Sequence, residues 1–319
     1  MNNPIGFSKV LGRRIRQDGL DTLGISTQTL FEQALGANDW ALASELVSYF
    51  WEEMRLIGEA LYNWIEEILA FVGEKEGWSS PGQRGSLLLR GLRTFNSSSG
   101  DLARALEACS RRQAPIACEA ANLMRLRWVS LHDALVAWIQ DLLHDLSERY
   151  GEEAVFGVIE RAYLRIWKPR YARWNEMSPL EKLQLSVEGM RGHLSGPLRR
   201  GDVGLIEEPD RYVMLLDPCG SCGIMRRGDP ESGRPPMHPA GNKQPHPWTW
   251  GRVGVSWYAV HSPIVMEYLW MREGKPPMRP MEDCDTDRPC RWYIYKDPAL
   301  TRKEHYLRMG FSPPEEPRQ

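Results

Sequence analysis

The sequence lacks several patterns that would assign it to a common class of protein. It has neither the glycine pattern of a dinucleotide-binding fold nor a phosphate-binding loop, so no nucleotide cofactor is expected. It also lacks an excess of charge, because 40 Lys and Arg residues oppose 42 Asp and Glu residues and leave a formal net charge of −2. This balance disfavours a nucleic-acid or anionic-membrane binder. We therefore expect no nucleic-acid partner.

Long uninterrupted apolar runs are absent as well. The most apolar stretch, residues 40–72, is interrupted by several glutamates and by Arg55, so it cannot cross a bilayer. Residues 1–7 lack a charged segment followed by an apolar run, so no signal peptide is expected. The sequence thus predicts a cytoplasmic protein with no membrane partner. In that compartment free thiols or metal thiolates are favoured over disulfides.

The first half of the chain contains an internal repeat. Residues 57–69 align without a gap with residues 131–143, and Trp64 matches Trp138. Both segments place apolar residues along one face of a helix. We predict an N-terminal arm at 1–26 and two helical units at 27–95 and 101–176, joined by the Ser-rich segment 96–100.

Such a pair of units can hold a ligand at its seam, or can serve as packing scaffold or as the surface of a homodimer. Neither copy carries the Glu-x-x-His pattern of a di-iron bundle, so no metal site is expected among these helices, although His132 and Asp133 lie there.

The remaining residues, 177–319, are predicted to form an α+β domain. Ser178, Pro179 and Glu181 match the start of a capped helix, and His193 follows the end of that helix. His193 is either a histidine that caps the helix or a catalytic group. Strands are predicted at 211–216, 253–260 and 291–296, and a short helix at 264–272. The predicted fold is mostly α with a C-terminal α+β region, a tandemly duplicated helical unit followed by a small cysteine–histidine metal-binding module.

Four of the six cysteines lie in this C-terminal domain. Cys219 and Cys222 have the spacing and the glycines of a zinc knuckle, although a redox dithiol has the same spacing. Cys284 and Cys290 are spaced more widely than the usual about two to four residues. Three ligand sets remain open: four cysteines around a structural zinc, a mixed site with His261 and an open position, or a cysteine-ligated iron–sulfur cluster. Zinc is the favoured cofactor, with iron or an iron–sulfur cluster as the alternative.

Several short segments resemble those of a family of bacterial proteins with no characterised activity. The resemblance covers roughly residues 125–310. It is carried by six segments: Arg199–Val203, Asp210–Tyr212, Asp217–Ser221, His246–Gly251, Tyr258–His261 and Pro289–Trp292. In that family glycine tends to stand at the position of Cys222, and cysteines stand at those of Ala259 and Ser262. The resemblance implies that Cys219, His261 and Cys290 are shared ligands, and it supplies no reaction.

The resulting hypothesis is a metal-dependent hydrolase or lyase that acts on a small aromatic or anionic molecule. The predicted metal ligands are Cys219, Cys222, His261, Cys284 and Cys290. Asp217, His246 and His193 are the candidate catalytic groups. The predicted substrate-binding residues are Arg226 and Arg227 for an anion, and Trp248, Trp250 and Trp257 for an apolar wall, with Trp292 beside them. There are two alternatives. The first is a helical protein without catalytic activity that binds a ligand or a partner and is stabilised by a structural zinc. The second is thiol redox signalling through Cys219 and Cys222.

Overall fold

The computed structural model describes residues 3–77, 99–229, 231 and 233–314. Parts of the predicted units therefore lie outside the described residues: 1–2 of the N-terminal arm, 78–95 of the first helical unit, 96–98 of the joint, and 230, 232 and 315–319 of the C-terminal domain. The helices are α1 Leu20–Leu23, α2 Thr27–Gly36, α3 Trp40–Glu76, α4 Gly100–Ser110, α5 Ala114–Tyr150, α6 Glu152–Ala162, α7 Lys168–Arg170, α8 Pro179–Gly192, α9 Cys222–Arg227, α10 His261–Pro263, α11 Leu269–Arg272 and α12 Lys303–Leu307.

Single π-helical turns at Tyr163–Trp167 and Ile264–Tyr268 join α6 to α7 and α10 to α11. The strands are β1 Ile5–Ser8, β2 Arg13–Arg16, β3 Gly204–Glu207, β4 Arg211–Leu216, β5 Met281–Glu282 and β6 Cys290–Tyr295. β1 and β2 form an antiparallel hairpin, and the other four strands form an antiparallel sheet in the order β3-β4-β6-β5. The prediction of a mostly α protein with an α+β part is confirmed.

The two long helices α3 and α5 pack against each other and form the centre of the core. The apolar face predicted from helical periodicity is buried in both, through Leu61 and Ile65 of α3 and Leu135 and Ile139 of α5. Asp39 caps the start of α3 by accepting a hydrogen bond from the backbone amide of Leu42. No helix of the described residues combines the length and the apolar character that a membrane span requires.

The helix α8 begins where its sequence predicts. Ser178 Oγ accepts from the backbone amide of Glu181, and the Glu181 carboxylate accepts from the backbone amide of Ser178. The helix ends at Gly192, and His193 is its C-terminal cap residue. Gly192 is required there because an added Cβ would lie 2.4 Å from the backbone oxygen of Glu53.

The prediction of a strand at 253–260 is wrong. Only Ser256 forms a bridge, to Gly241, and the rest of the segment turns back on itself. The Asn242 side chain holds this turn by donating to the Arg252 carbonyl at 2.6 Å and accepting from the Val255 amide at 2.8 Å. The amide side chain of Asn242, from the loop just before this segment, thus takes up backbone groups that a strand would have paired with another strand.

A buried ion pair connects the N-terminal part of the chain to α3 and α8. Arg191 Nε lies 2.5 Å from Glu53 Oε1, and both side chains are 1% exposed. The other Glu53 oxygen accepts from Thr27 Oγ1 at 2.7 Å, and Arg191 Nη1 donates to the Leu23 carbonyl at 2.9 Å. Each charge is therefore compensated at the point where α1, α2, α3 and α8 meet.

We expect Glu53→Gln to destabilise the fold by roughly 3–5 kcal/mol, because it leaves the buried Arg191 charge without its anion. The matched control is Glu52→Gln on the same helix. Glu52 pairs with Arg55 at the surface, so its loss should cost less than about 1 kcal/mol. Chemical denaturation gives both free energies of unfolding. Equal losses of unfolding free energy in the two variants would show that the buried ion pair stabilises the fold no more than the surface pair does.

Candidate functional site

The strand β4 and its partner β6 bring the two cysteine pairs together. Leu216, the last residue of β4, pairs with Cys290, the first residue of β6. The chain then turns through Asp217 and Pro218 to Cys219, and α9 begins at Cys222. The cysteines of both pairs therefore lie at the same end of the sheet.

A cavity of about 30 Å³ lies at this end of the sheet, and all five predicted metal ligands line it. His193, Ser221 and Tyr258 line it as well. So do Ala259 and Ser262, the positions at which the resembling family has cysteines. The sequence therefore identified residues from four separate segments that the fold collects around one small space.

The structure joins Cys284 and Cys290 in a disulfide, whereas the sequence favoured thiolates at both positions. A disulfide sulfur has no thiolate charge to offer a metal ion. In the described part of the chain, no three His, Cys, Asp or Glu side chains are grouped as a metal ion requires. In this disulfide form the residues do not fit a zinc or iron site.

A buried hydrogen-bonded chain of side chains leads to the cavity. The Asp133 carboxylate lies 2.9 Å from His132 Nδ1, and His132 Nε2 lies 2.8 Å from His193 Nδ1. Ser221 Oγ lies 2.9 Å from the same His193 nitrogen. These hydrogen bonds connect α5, the end of α8 and the turn that carries the first cysteine pair.

The charges around these hydrogen-bonded side chains determine which nitrogen atoms of His132 and His193 carry protons. Asp133 is partly desolvated, but His132 and Arg199 hold its pKa well below the usual range, so it remains an acceptor. His132 Nδ1 must then donate, which leaves Nε2 as an acceptor and makes His193 Nδ1 the donor. Burial lowers the pKa of both histidines. His193 is therefore a neutral imidazole that offers the lone pair of Nε2.

His261, which also lines the cavity, is likewise held with a defined tautomer. Its Nδ1 lies 2.6 Å from the Tyr258 carbonyl oxygen, which can only accept, so Nε2 carries the lone pair. Burial lowers the pKa of His261 to about 4. The ring stacks on Trp167 at 5.6 Å and contacts Trp64 at 4.9 Å between ring centres.

Cys219 is the thiol that ionises most readily in this site. A hydrogen bond from Cys222 lowers the pKa of Cys219 to about 7, against the opposing effect of burial, and the backbone amides of Ser221, Cys222 and Gly223 add to the shift. The same contact raises the pKa of Cys222 well above the usual value. The pair thus resembles a thiolate held by a neighbouring thiol.

A larger pocket of about 390 Å³ adjoins the cavity. Its walls are rich in aromatic rings, including Trp64, Trp167 and Tyr171. The residues that line both the pocket and the cavity are Met190, His193, Tyr258, His261, Ser262 and Trp292. A molecule in the pocket would therefore contact the two neutral imidazoles directly.

Two of the three predicted catalytic residues do not line either space. Asp217 is exposed and pairs with Arg227. His246 Nε2 lies 2.5 Å from Glu152, and its ring stacks on Trp248 at 4.2 Å. Only His193 reaches the cavity.

The predicted substrate-binding residues are also placed elsewhere. Arg226 faces Asp285 and Asp287, and Arg227 donates to the Asp287 carbonyl. Trp248 and Trp257 are buried in the core, and the Trp250 indole donates to Glu267 at 2.8 Å. Of the tryptophans considered from the sequence, Trp292 does line the pocket.

Sequence reasoning missed His132 and Asp133 as members of the site. They are adjacent on a helix, and adjacent helical side chains ordinarily point in different directions, so their mutual contact was not expected. Arg199 and Ser221 belong to segments that carry the family resemblance, but they received no role because their partners lie far away in the chain. Tyr258 had a signal, since it shares the Tyr-x-x-His segment with His261.

We expect Cys219 to ionise with a midpoint near pH 7. The thiolate fraction rises with pH, so the ultraviolet absorbance of the thiolate should appear around pH 7 in the wild-type protein and disappear from that range in Cys219→Ser. Cys222→Ala removes the largest cause of the shift and should move the midpoint upward. Cys118, whose pKa burial raises, is the internal comparison and should ionise only at higher pH. An unchanged titration in Cys219→Ser would contradict the assignment.

No family model, curated protein or solved structure matches this chain. The resemblance seen in its short segments therefore stays a prediction.

Proposed function

We propose that the protein is a hydrolase or lyase that acts on a small molecule, with the cysteine–histidine cavity as its reaction centre. The wall that the pocket and the cavity share supports this proposal most directly. Because His193 and His261 belong to that wall, a bound molecule would contact two neutral imidazoles, and Cys219 lines the cavity that adjoins the pocket. A nucleophile, a base and a substrate pocket that adjoin one another are what covalent hydrolysis requires.

The side chains can carry a complete hydrolysis. The Cys219 thiolate attacks the acyl carbon, the bond to the leaving group breaks, and the leaving group takes the proton of Cys222. Water then attacks the thioester, its proton passes to His193 Nε2, and the acid product leaves with Cys219 restored as thiolate. Proton transfer from His193 to Cys222 returns the site to its starting state. Asp133 and His132 hold His193 in the required tautomer.

A small aromatic ester, 4-nitrophenyl acetate, tests this chemistry on the oxidised protein without added reductant. We expect one acetyl group on Cys219, detected by peptide mass spectrometry, followed by its hydrolysis. Cys219→Ser should abolish the labelling. His193→Gln should slow deacylation by roughly 100-fold or more, so that the acetyl-enzyme accumulates.

The matched control for this experiment is Cys118→Ser, which removes a partly exposed thiol of the helical half and leaves the site intact. It should behave as the wild type does. Hydrolysis of the ester by Cys219→Ser at the wild-type rate would exclude the proposed nucleophile.

A second candidate is the metal-dependent enzyme predicted from the sequence. It is favoured by one observation, that four cysteines and His261 line a cavity of about 30 Å³, the volume of roughly one water molecule. Reduction of the Cys284–Cys290 disulfide would free two further thiols there. A bound zinc ion, or alternatively iron, would supply a Lewis acid and a water of lowered pKa.

Elemental analysis separates the two candidates. We expect the oxidised protein to carry no stoichiometric metal, and the reduced protein dialysed against zinc to bind one ion, which Cys284→Ser should weaken because it removes a thiol. One equivalent of metal in the protein as purified under air would favour the metal enzyme over the thiol mechanism. A protein that binds small molecules, is not acetylated and takes up no metal in either state would be the non-catalytic ligand binder.

We further propose that α3 and α5 belong to a duplicated helical unit. Both helices have 37 residues, and α5 begins and ends 74 positions after α3, since 114 − 40 and 150 − 76 both equal 74. The sequence repeat has the same offset. A homodimer through this helical half and a cytoplasmic location stay predictions.

A further inference from the structure

The pocket contains an arginine, Arg279, whose charge has no anionic partner among the described residues. The Arg279 side chain is 1% exposed, and its Nε has no hydrogen-bond partner. Its contacts are the Trp292 ring, 4.0 Å from the guanidinium carbon, the Met266 sulfur at 3.2 Å, and the Tyr171 phenol. Among residues 3–77, 99–229, 231 and 233–314, no carboxylate forms an ion pair with it. Burial of an uncompensated cation is costly, so an anion supplied from outside would stabilise it.

The electrostatic surroundings of Arg279 favour an anion still further. Arg170 lines the same pocket, although it is paired with Glu188 at 3.1 Å. Burial alone would raise the pKa of the Tyr171 phenol, but the charges of Arg279 and Arg170 lower it. Five arginines and a single carboxylate, Glu59, are the charged side chains that line the pocket within the described part of the chain. Arg13, Arg165, Arg170 and Arg173 each pair with a carboxylate outside the pocket lining. Within the described part of the chain, Arg279 is therefore the pocket arginine whose charge is not compensated.

The uncharged part of the pocket wall consists largely of planar aromatic rings. Trp64 and Trp167 meet edge to face at 5.3 Å between ring centres, and the Trp64 ring lies 5.3 Å from that of Tyr258. The His261 ring stacks on Trp167. Such a set of rings offers both faces and edges to an aromatic ligand.

We propose that this pocket binds the carboxylate form of a small aromatic acid, with Arg279 as the anion-binding residue. A planar guanidinium matches a carboxylate with two parallel hydrogen bonds. A single uncompensated cation balances a monoanion, whereas a phosphate dianion would leave one charge unpaired. The volume of about 390 Å³ is within the range of pockets for small ligands, about 300–1,000 Å³.

The inference deepens the proposed function by naming its ligand class, but it concerns binding alone. It assigns the anion subsite to Arg279 in place of Arg226 and Arg227, which lie outside the pocket. Whether Cys219 becomes acylated is a separate question, so the two proposals can fail independently.

Calorimetric titration with benzoate tests the inference, with benzamide as the neutral ligand of the same shape. We expect the wild-type protein to bind benzoate and to bind benzamide at least about tenfold more weakly. Arg279→Met, which keeps most of the apolar volume, should weaken benzoate binding by roughly 10- to 100-fold. Arg227→Met is the matched control, and it should leave the affinity within about twofold of wild type.

Further comparisons decide the outcome if Arg279→Met does not fold. Arg279→Lys keeps the charge but loses the planar fork, and should lie between the wild type and the Met variant. Cyclohexanecarboxylate, which is not aromatic, and inorganic phosphate should both bind more weakly than benzoate. Equal affinity for benzoate and benzamide, tighter binding of phosphate, or no benzoate binding by the wild type would overturn the inference.

The same experiment keeps this inference distinct from the proposed reaction. Cys219→Ser should still bind benzoate, because it removes the nucleophile and leaves Arg279 in place. A protein that binds benzoate through Arg279 but is not acetylated at Cys219 retains the ligand class and loses the mechanism. Acetylation of Cys219 in a protein that does not bind benzoate would support the mechanism and exclude the ligand class.

Discussion

One buried cation, Arg199, holds the parts of the site together. Its side chain is inaccessible to solvent, and its guanidinium pairs with Asp133 of α5 at 2.9 Å and with Asp229 at 3.2 Å. It also donates to the carbonyl oxygens of Leu194 and Gly220, at 3.1 and 3.3 Å. An unpaired donor on a buried guanidinium is costly, so the partners of Arg199 are constrained in position. Arg199 therefore fixes the end of α8 and the cysteine turn against the long helix α5.

The same ion pair determines which nitrogen atoms of the histidines are free. Because Arg199 helps to keep Asp133 ionised, His132 must donate through Nδ1 and accept through Nε2. His193 then donates through Nδ1, and its Nε2 is left for the pocket. A charge more than one hydrogen bond away thus sets the chemistry of a residue that it does not touch, in the way that outer partners orient catalytic imidazoles.

Sequence periodicity could predict the long helices, because their apolar positions repeat at helical spacing whatever they pack against. The cysteines and His261 could be grouped because soft ligands are rare and were concentrated in one region. The contact of His132 with His193 could not be predicted, since it depends on how α5 packs on the end of α8. The repeat gave no indication of this contact, because Gly58 and Glu59 of the first copy align with His132 and Asp133 of the second. Arg279 gave no signal at all, because an arginine without a partner is recognisable only once its surroundings are known.

The pocket and the cavity, which we propose as the reaction centre, are coupled by charge. Burial contributes most to the lowered pKa of His193 and of His261, but nearby arginines contribute as well: Arg170 and Arg199 at His193, and Arg279 at His261. The cation that would bind a carboxylate therefore also helps to keep an imidazole unprotonated. Once a carboxylate neutralises Arg279, that contribution at His261 is cancelled and the pKa of His261 rises. Occupation of the anion subsite would thus increase the proton affinity of the His261 imidazole, which lines both the pocket and the cavity.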